Sequence, residues 1–487
     1  MKTVRYKRLS SVEDGEDADF VPSRESPTLR TNVIVGFLMI FGFVICMILL
    51  TNGQSKSTGI SIAPVTTTVK EFISHKIGMT KKEYTGFQDF YFTKEEGEHL
   101  NCSRFFADDK AAIDEYVNQG RMKLTKERVM DLPMDCESIR HRVHGEVTEF
   151  TKLSRSMAFV RTIYELYEMQ EALLSISYHP DNIYCYVMDS KSTPILKEDI
   201  RQMASCFDNV VVLQKEYDFN SGGHGQDKAH FDCLEHVMDR KWEHALILQN
   251  FDLIIKTPEQ LATVSELLNT TSIMGMDFGF NYRYNTKLNW TPIGLQLFKD
   301  EKGVANETLY KKLVVRKSLN EVILARRFVE SIFDKLNLKH LMDLFDNNDM
   351  YGVDEMLVQT LYENNLGLEG QMETDCKSQH GDPLTRMTHW DWSGPNGYDK
   401  DCHSKFKRHG ICVLGVEYLN ELVKSQAIVA NKVMAKFDFG TIICTKEMMI
   451  KKMTGKTPDD NFLTSFPQYR EMKLKHQGKF NKTAFIC

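Results

Sequence analysis

An uninterrupted apolar segment near the N-terminus places the strongest constraint on how this chain can fold. Residues Asn32–Leu50 read NVIVGFLMIFGFVICMILL and contain no charged side chain. At roughly 1.5 Å per residue, a helix over this segment would be about 28 Å long, close to the thickness of a bilayer hydrocarbon core. A helix that is apolar on every side offers no face to water. The segment is therefore predicted to be a single transmembrane helix.

Two other interpretations of this segment fit less well. A buried helix of a soluble domain usually carries at least one polar face. A cleaved signal peptide has a shorter apolar core and a small-residue cleavage site, whereas Thr51-Asn52-Gly53-Gln54 follows here. We therefore expect the segment to stay in the protein as a signal anchor.

Basic residues are denser before the apolar segment than after it. The preceding tail contains Lys2, Arg5, Lys7, Arg8, Arg24 and Arg30. The next twenty residues contain only Lys56 and Lys70. Because Lys and Arg mark the cytosolic side of an anchor, this asymmetry predicts a type II orientation. Residues 1–31 would be a cytosolic tail, and everything after the anchor would be lumenal.

Charge, cysteines and glycosylation motifs agree with a lumenal protein. The net charge of −6 argues against a general nucleic-acid binder. Of the 11 cysteines, all but Cys46 follow the anchor, where disulfides can persist. N-x-S/T motifs also follow it, so glycosylation is predicted at each of them. These motifs begin at Asn101, Asn269, Asn289, Asn306 and Asn481.

The lumenal part divides into a stem and one domain. Residues 51–86 are rich in Thr, Ser and Lys and predict a stem, and residues 87–487 predict the domain. From Ser156 onward, short apolar strands alternate with helical stretches. Predicted strands are Met157–Ile163, Ile183–Met188, Val210–Leu213, Ala245–Leu248 and Val322–Ala325, and predicted helices are Tyr164–Tyr178, Ile195–Phe207, Phe231–Met238 and one that begins at Thr257. This rhythm predicts an α/β fold with a mostly parallel sheet. Ligands of such sheets bind at the carboxyl ends of the strands, here at Asp189, after Leu213 and at Gln249–Asp252.

Common catalytic motifs are missing from the sequence. It contains no G-x-G-x-x-G, P-loop, G-x-S-x-G or H-E-x-x-H pattern, which argues against dinucleotide enzymes, kinases, serine hydrolases and zinc proteases. Two D-x-D strings occur. Asp17–Asp19 lies in the tail, and Asp399–Asp401 lies in a late Gly/Pro-rich loop rather than after an early strand. No metal site is therefore predicted.

A set of short motifs stands in the order and spacing of one known family. They are YCYVMDSKS (184–192), SCFDNVVVLQK (205–215), GG (222–223), HFDCL (230–234), LIIKT (253–257), YGVDE (351–355), DWSGP (391–395), RHGICVLG (408–415) and ANK (430–432). In these motifs the chain resembles the core-2/I-branching enzymes, glycosyltransferase family 14, over about residues 136–444. The resemblance implies a GT-A-like fold, an inverting mechanism and a UDP-sugar donor without a required metal. It also implies a glycoprotein glycan acceptor and a Golgi membrane location, with a homodimer as an oligomeric state to be tested.

The resemblance assigns roles to four residues. Glu355 would be the catalytic base; read without the family, it is an acid that favours the start of a helix. Asp354 is the alternative acid. Arg408 and Lys432 would neutralise the departing diphosphate in place of a metal, although lone basic residues are usually solvated surface. Asp189 would contact the nucleotide; its other interpretation is a strand-end turn residue paired with Ser190.

The resemblance also implies a cysteine framework. It pairs Cys102 with Cys444, Cys136 with Cys206, Cys185 with Cys233 and Cys402 with Cys412. Sequence alone does not fix connectivity. Cys376 and Cys487 remain, either paired or free.

Two departures from the family pattern leave the sugar and the acceptor open. The segment 249–254 reads QNFDLI where the family often has a CGQDFP-like string, and 274–292 has no counterpart of the charged acceptor-binding stretch of the mucin-type enzymes. N-acetylglucosamine transfer is the leading interpretation. A xylosyl- or glucosyltransferase is the alternative among enzymes, and a lectin-like membrane protein without catalysis is the alternative outside them.

Overall fold

The fold is seen in a computed structural model that describes residues 91–92, 94–125, 132–145, 147, 149–279, 281–346, 350–372, 384–391, 402–454 and 467–485. All of them belong to one compact unit, Glu83–Cys487. The predicted tail (1–31), anchor (32–50) and stem (51–86) lie outside the described residues. Within the described ranges, no helix has both the length and the apolar character needed to span a membrane.

Helices and short strands alternate along most of the chain. The strands are β1 (Met157–Ile163), β2 (Ile183–Met188), β3 (Val210–Val212), β4 (His244–Leu248), β5 (Leu253–Ile254), β6 (Asp277–Phe278), β7 (Arg316–Lys317), β8 (Ile323–Ala325), β9 (Arg386–Met387), β10 (Lys407–Arg408), β11 (Ile411–Cys412) and β12 (Val429–Ala430). The helices are α1 (Lys94–Gly97), α2 (Cys102–Phe106), α3 (Lys110–Gln119), α4 (Cys136–His144), α5 (Tyr167–Ser177), α6 (Pro194–Ser205), α7 (Gln226–His236), α8 (Pro258–Leu268), α9 (Asn306–Tyr310), α10 (Arg326–Lys335), α11 (Leu338–Asp346), α12 (Leu357–Glu363), α13 (Leu419–Lys424), α14 (Ala435–Asp438), α15 (Gly440–Thr454) and α16 (Pro467–His476). Single helical turns of tighter pitch cover Val353–Glu355 and Val416–Tyr418.

A five-stranded sheet forms the centre of the unit. Its strand order is β3-β2-β1-β4-β8. The first four strands are parallel, and β8 runs antiparallel to β4. In register, Val160 of β1 stands between Cys185 of β2 and Ile247 of β4. The predicted α/β fold with a mostly parallel sheet is confirmed, and β1 and β2 have the predicted bounds.

Two hydrophobic cores cover the two faces of this sheet. Successive side chains of a strand point to opposite faces, and here both sets are buried. Phe159 and Ile163 of β1 belong to one core, whereas Ala158 and Val160 belong to the other. Burial on both faces explains why the parallel strands read as continuous apolar runs.

The helix that follows β5 begins where the sequence predicts. Thr257 is its N-cap: the hydroxyl of Thr257 accepts from the backbone N–H of Gln260, and the Gln260 side chain accepts from the N–H of Thr257. Pro258 occupies the first turn, where its missing N–H costs nothing. The reciprocal cap satisfies two donors that the helix start would otherwise leave unpaired.

Four disulfides join elements that are distant in the sequence. Cys102–Cys444 ties α2 to α15, Cys136–Cys206 ties α4 to the end of α6, and Cys185–Cys233 ties β2 to α7. The fourth, Cys402–Cys412, closes the loop that contains β10. These are the four pairs that the resemblance implies; Cys376 and Cys487 lie outside the described residues. The side chains of all five sequon asparagines are exposed.

Three small sheets lie beside the central one and carry the loops of the candidate site. β12 pairs with β5 and β9. β10 and β11 form a hairpin, and β6 pairs antiparallel with β7. The polar residues that follow β4 therefore lie next to segments from the last third of the chain.

Candidate active site

Glu355 and Asp354 lie on a single helical turn just before α12, and a glycine pair fixes that turn. Gly352 has a left-handed backbone, with a φ of 71°. The backbone N–H groups of Gly352 and Val353 both donate to the carbonyl of Gly222, at 2.8 and 3.1 Å. The turn that carries the two acids is therefore docked onto the Gly222-Gly223 loop.

The two neighbouring acids face different surroundings. Asp354 is buried, and its Oδ2 accepts from Gln249 Nε2 at 3.1 Å and from Asn320 Nδ2 at 2.5 Å. Burial and the nearby charge of Glu355 raise the pKa of Asp354 to about 8. The side chain of Glu355 keeps 21% of its surface exposed. Glu355 is therefore the more accessible of the two acids, while the hydrogen bonds of Asp354 hold the turn from inside.

Two cations that the sequence analysis did not identify contact Glu355. The Arg283 guanidinium is in direct contact with Glu355 Oε2, and Lys317 Nζ lies 3.9 Å from the same oxygen. Arg283 comes from the loop after β6, within the stretch 274–292 that has no counterpart of the family's charged acceptor-binding segment. An isolated Arg in a polar loop carries no sequence signal, so only the fold could identify it.

The hairpin β10–β11 presents Arg408. His409 and Gly410 form its turn, with left-handed φ values of 54° and 76°. The Arg408 guanidinium lies 5.5 Å from the ring centroid of Phe251, over its face. Since Cys402 is bonded to Cys412 of β11, the disulfide holds the loop on both sides of Arg408.

Lys432 follows β12 and lies near Arg408. Its carbonyl accepts from the N–H of Leu414, just beyond β11, at 2.8 Å. The pKa of Lys432 is lowered to about 8, mainly by burial and also by the positive charges of Arg386 and Arg408, whereas the negative charges of Asp252 and Glu321 oppose the shift. The fold thus brings the two predicted phosphate cations within electrostatic reach of each other.

A network of buried polar side chains lies next to Lys432. Asn431 donates to Asp252 Oδ1 at 2.7 Å, and Arg386 pairs with Glu321 at 2.7 Å. Arg161 of β1 donates to the carbonyls of Gln249 and Asp252, at 2.8 and 2.9 Å. Burial raises the pKa of Glu321, and the Arg386 guanidinium opposes the shift. Of the residues in this network, Asn431 could be found from the sequence, because it precedes Lys432 in the motif ANK. The other members of the network form no recognisable sequence pattern.

Asp189 sits at the turn after β2, with local partners. Its Oδ1 accepts from the backbone N–H of Lys191 at 2.8 Å, and Lys191 Nζ lies 3.4 Å away. These contacts are those of a strand-end turn, with Lys191 as the partner rather than Ser190. The charges of Arg408 and Asp189 both act on the Tyr164 hydroxyl, so Asp189 faces the same region.

The D-x-D strings Asp17–Asp19 and Asp399–Asp401 both lie outside the described residues, so the absence of a metal site stays a prediction. Within the described residues, one group of potential metal ligands converges, consisting of Asp391, Cys402 and Cys412. The two sulfurs are bonded to each other, so neither is a thiolate that could bind a metal.

Comparison with known families identifies the family to which the chain belongs. The family model for the Core-2/I-branching enzyme matches residues 157–423, more than half of the chain. The chain belongs to the Core-2/I-branching enzyme family. The match spans the central sheet, Glu355 and the Arg408 hairpin, and the predicted family membership is confirmed.

Three curated relatives of the chain are all named as beta-1,6-N-acetylglucosaminyltransferases. The beta-1,3-galactosyl-O-glycosyl-glycoprotein beta-1,6-N-acetylglucosaminyltransferase 3 of Rattus norvegicus is 24% identical over 374 residues, which cover 72% of this chain and 83% of the relative. The Homo sapiens protein of that name is 24% identical over 375 residues, with 72% and 82% covered. A Bovine herpesvirus 4 enzyme is 23% identical over 375 residues, with 72% and 83% covered. The prediction that the chain is a glycosyltransferase-type enzyme is confirmed.

The contact between the Gly222-Gly223 loop and the turn that carries Asp354 and Glu355 can be tested by adding one methyl group. A Cβ at Gly223 would lie 1.9 Å from Asp354 Oδ1, whereas a Cβ at Gly367 would meet nothing within 4 Å. Both glycines are left-handed, with φ of 89° and 69°, so alanine costs each about 1–2 kcal/mol in backbone strain. We expect Gly223→Ala to lower transfer activity at least about tenfold beyond Gly367→Ala.

The measurement is the initial transfer rate together with the thermal unfolding midpoint of each variant. Similar midpoints are not required, because Gly223→Ala should also unfold at a lower temperature. Equal activity of the two variants would show that the Gly222-Gly223 loop does not set the position of the turn that carries Glu355.

Proposed function

We propose that the protein is an inverting glycosyltransferase that moves N-acetylglucosamine from UDP-N-acetylglucosamine onto a glycoprotein glycan. Glu355 is the general base, and Arg408 and Lys432 bind the diphosphate in place of a metal. The names of the relatives support the choice of sugar and acceptor class.

The reaction requires a base and a leaving-group site on opposite sides of the sugar. The acceptor hydroxyl oxygen attacks the anomeric carbon while the bond from that carbon to the diphosphate oxygen breaks. Glu355 takes the hydroxyl proton as the new bond forms. Negative charge develops on the UDP diphosphate at the same time, and fixed cations there stabilise the transition state more than the ground state.

One observation carries this proposal: Arg408 and Lys432 lie within electrostatic reach of each other in a partly buried place. Burial lowers the pKa of Lys432 most, and the positive charges of Arg386 and Arg408 also lower it. Arg408 and Lys432 therefore repel each other, although the negative charges of Asp252 and Glu321 offset part of this effect. Like charges held together are unfavourable in a low-dielectric site unless an anion joins them. A diphosphate supplies that anion, and an Arg fork with a Lys point charge suits its oxygens.

Exposure supports the choice of Glu355 over Asp354. Oδ2 of the buried Asp354 accepts hydrogen bonds from the side-chain amides of Gln249 and Asn320, which already fixes the position of Asp354. The side chain of Glu355 is partly exposed, and its Oε2 pairs with the cationic side chains of Arg283 and Lys317. A hydroxyl can replace such a partner, so Glu355 can take a proton once an acceptor is bound.

The cell-biological part of the proposal rests on other features. We propose that residues 32–50 anchor the protein in the Golgi membrane with the enzyme unit in the lumen. Four disulfides and five exposed sequon asparagines are features of a lumenal protein. Glycosidase digestion of the protein from cells should reduce its apparent mass.

Substituting the two acids tests the base. Glu355→Gln keeps the size of the side chain but removes the proton acceptor, so turnover should fall by about 10² to 10⁴. UDP affinity should stay near that of the parent, because Glu355 faces the acceptor. Asp354→Asn keeps an amide-compatible shape at the buried site and should cost much less.

The measurement is UDP release from a panel of UDP-sugars and glycan acceptors, with UDP affinity measured separately. The same panel identifies the sugar and separates an enzyme from a lectin, which would release no UDP. Parental turnover by Glu355→Gln would exclude Glu355 as the base.

The pH dependence of UDP binding tests the diphosphate site. Since the pKa of Lys432 is about 8, this ammonium group is charged at pH 7 and loses its proton as the pH rises. The diphosphate of UDP loses no negative charge as the pH rises, so the affinity for UDP should fall about tenfold between pH 7 and pH 9 as Lys432 loses its charge. Lys432→Arg stays charged and should abolish most of the decrease.

Lys436→Arg is the matched control, because Lys436 is exposed and pairs with Glu165. It should keep the parental pH dependence. An unchanged alkaline decrease in Lys432→Arg would assign the titration to another group.

A further inference from the structure

A contact between two exposed rings joins the two halves of the candidate site. Tyr351 Oη and His409 Nδ1 are 2.9 Å apart, at hydrogen-bond distance. The two rings also lie nearly parallel, with centroids 6.3 Å apart and an angle of 30°. Tyr351 lies four residues before Glu355, and His409 directly follows Arg408. The contact therefore connects the base turn to the hairpin that carries the diphosphate cation.

Core packing does not account for this pair. Tyr351 is 52% exposed, and His409 is also exposed. An exposed hydrogen bond of this kind contributes little to the stability of the fold, because water can replace either partner. The pair therefore has little effect on the stability of the fold but can have a large effect on local geometry.

The backbone next to each of the two rings restrains where the ring can lie. Gly352, left-handed, follows Tyr351 and is bonded to Gly222. His409 occupies the first position of a two-residue turn with a φ of 54°, where asparagine and glycine are the favoured residues. The chain thus accepts a less favourable residue at the turn position whose side chain meets Tyr351.

The Tyr351 hydroxyl also lies between the charges that the reaction uses. Its pKa is raised by desolvation and by the negative charges of Asp354 and Glu355, while the positive charges of Arg283 and Arg408 oppose the shift. Both the base and the diphosphate cation therefore act on the same hydroxyl. The sugar that is transferred has to bridge these two groups.

We propose that Tyr351 and His409 are a positioning pair that sets the separation between the Glu355 turn and the Arg408 hairpin. When UDP-sugar binds at Arg408, the pair holds the base at the matching distance from the anomeric carbon. Neither residue takes a proton or forms a bond in the reaction. This inference rests on the proposed function, because it assigns the pair to that same site.

Two conservative substitutions remove the contact without disturbing the fold. Tyr351→Phe keeps the ring and loses the hydroxyl. His409→Asn creates an Asn-Gly turn, the combination that this hairpin favours most, with a side chain too short to reach Tyr351. Tyr310→Phe, on the exposed end of α9, is the matched control for loss of a surface hydroxyl.

The experiment uses the full-length protein in detergent, with the donor and acceptor that give UDP release with the parent. We expect each single variant to lower kcat about tenfold, since small misplacements of a reacting group have effects of at least this size. UDP affinity should change less than about twofold. The double variant should be no slower than either single variant, because both changes remove one contact.

Parental kcat in both single variants would overturn the inference, as would effects that multiply in the double variant. A loss of kcat that appears only together with a lower unfolding temperature, or that Tyr310→Phe also shows, would assign a structural role instead. Glu355→Gln is measured in parallel. If it is inactive while Tyr351→Phe matches the parent, only the positioning pair is wrong; if it is active, the proposed function itself fails.

Discussion

Pairing of buried charges beneath the site is the constraint on which this structure depends. Arg386 and Glu321 are almost fully buried, and an unpaired charge in such a place is strongly destabilising. Their ion pair connects β9 to the segment just before β8, and the Asp252–Asn431 hydrogen bond connects the loop after β4 to the residue after β12. Lys432 directly follows Asn431, so these buried contacts restrain its backbone.

The site consists of an inner set of hydrogen-bonded polar groups and an outer set of partly exposed groups. Asp354, Asn320 and Gln249 form an inner layer of amides and a carboxyl group. Glu355 and Arg408 form the outer layer, and Tyr351 contacts the hairpin between them. An inner layer with satisfied hydrogen bonds keeps outer side chains in place before a substrate binds, which is what electrostatic stabilisation of a transition state requires.

The sequence predicts the fold far better than it predicts these contacts. Alternating apolar strands and helices identified β1 and β2 to the residue, because strands buried on both faces leave a continuous signal. The helix α7 begins at Gln226, five residues before its predicted start at Phe231, because its first turn is polar. The antiparallel direction of β8 and the two-residue strands β9 to β12 leave no periodic signal, so only the fold reveals them.

Residues of the candidate site show the same contrast. Motif order pointed to Glu355, Arg408 and Lys432, but their partners lie far away in the sequence. Arg283 and Glu355 are 72 residues apart, and Asp252 and Asn431 are 179 apart. No local spacing can encode such pairs. Long-range packing also decides which of two adjacent acids is accessible, and it leaves Glu355 partly exposed and Asp354 buried.

A structure of the full-length protein with UDP bound in the presence of EDTA tests the central claim most directly. The account predicts that the diphosphate contacts the guanidinium of Arg408 and the ammonium of Lys432 without a metal ion, and that the exposed carboxylate of Glu355 faces the open side where a sugar would be attached. A diphosphate bound away from these two cations, or UDP that binds only when a divalent metal is restored, would contradict it.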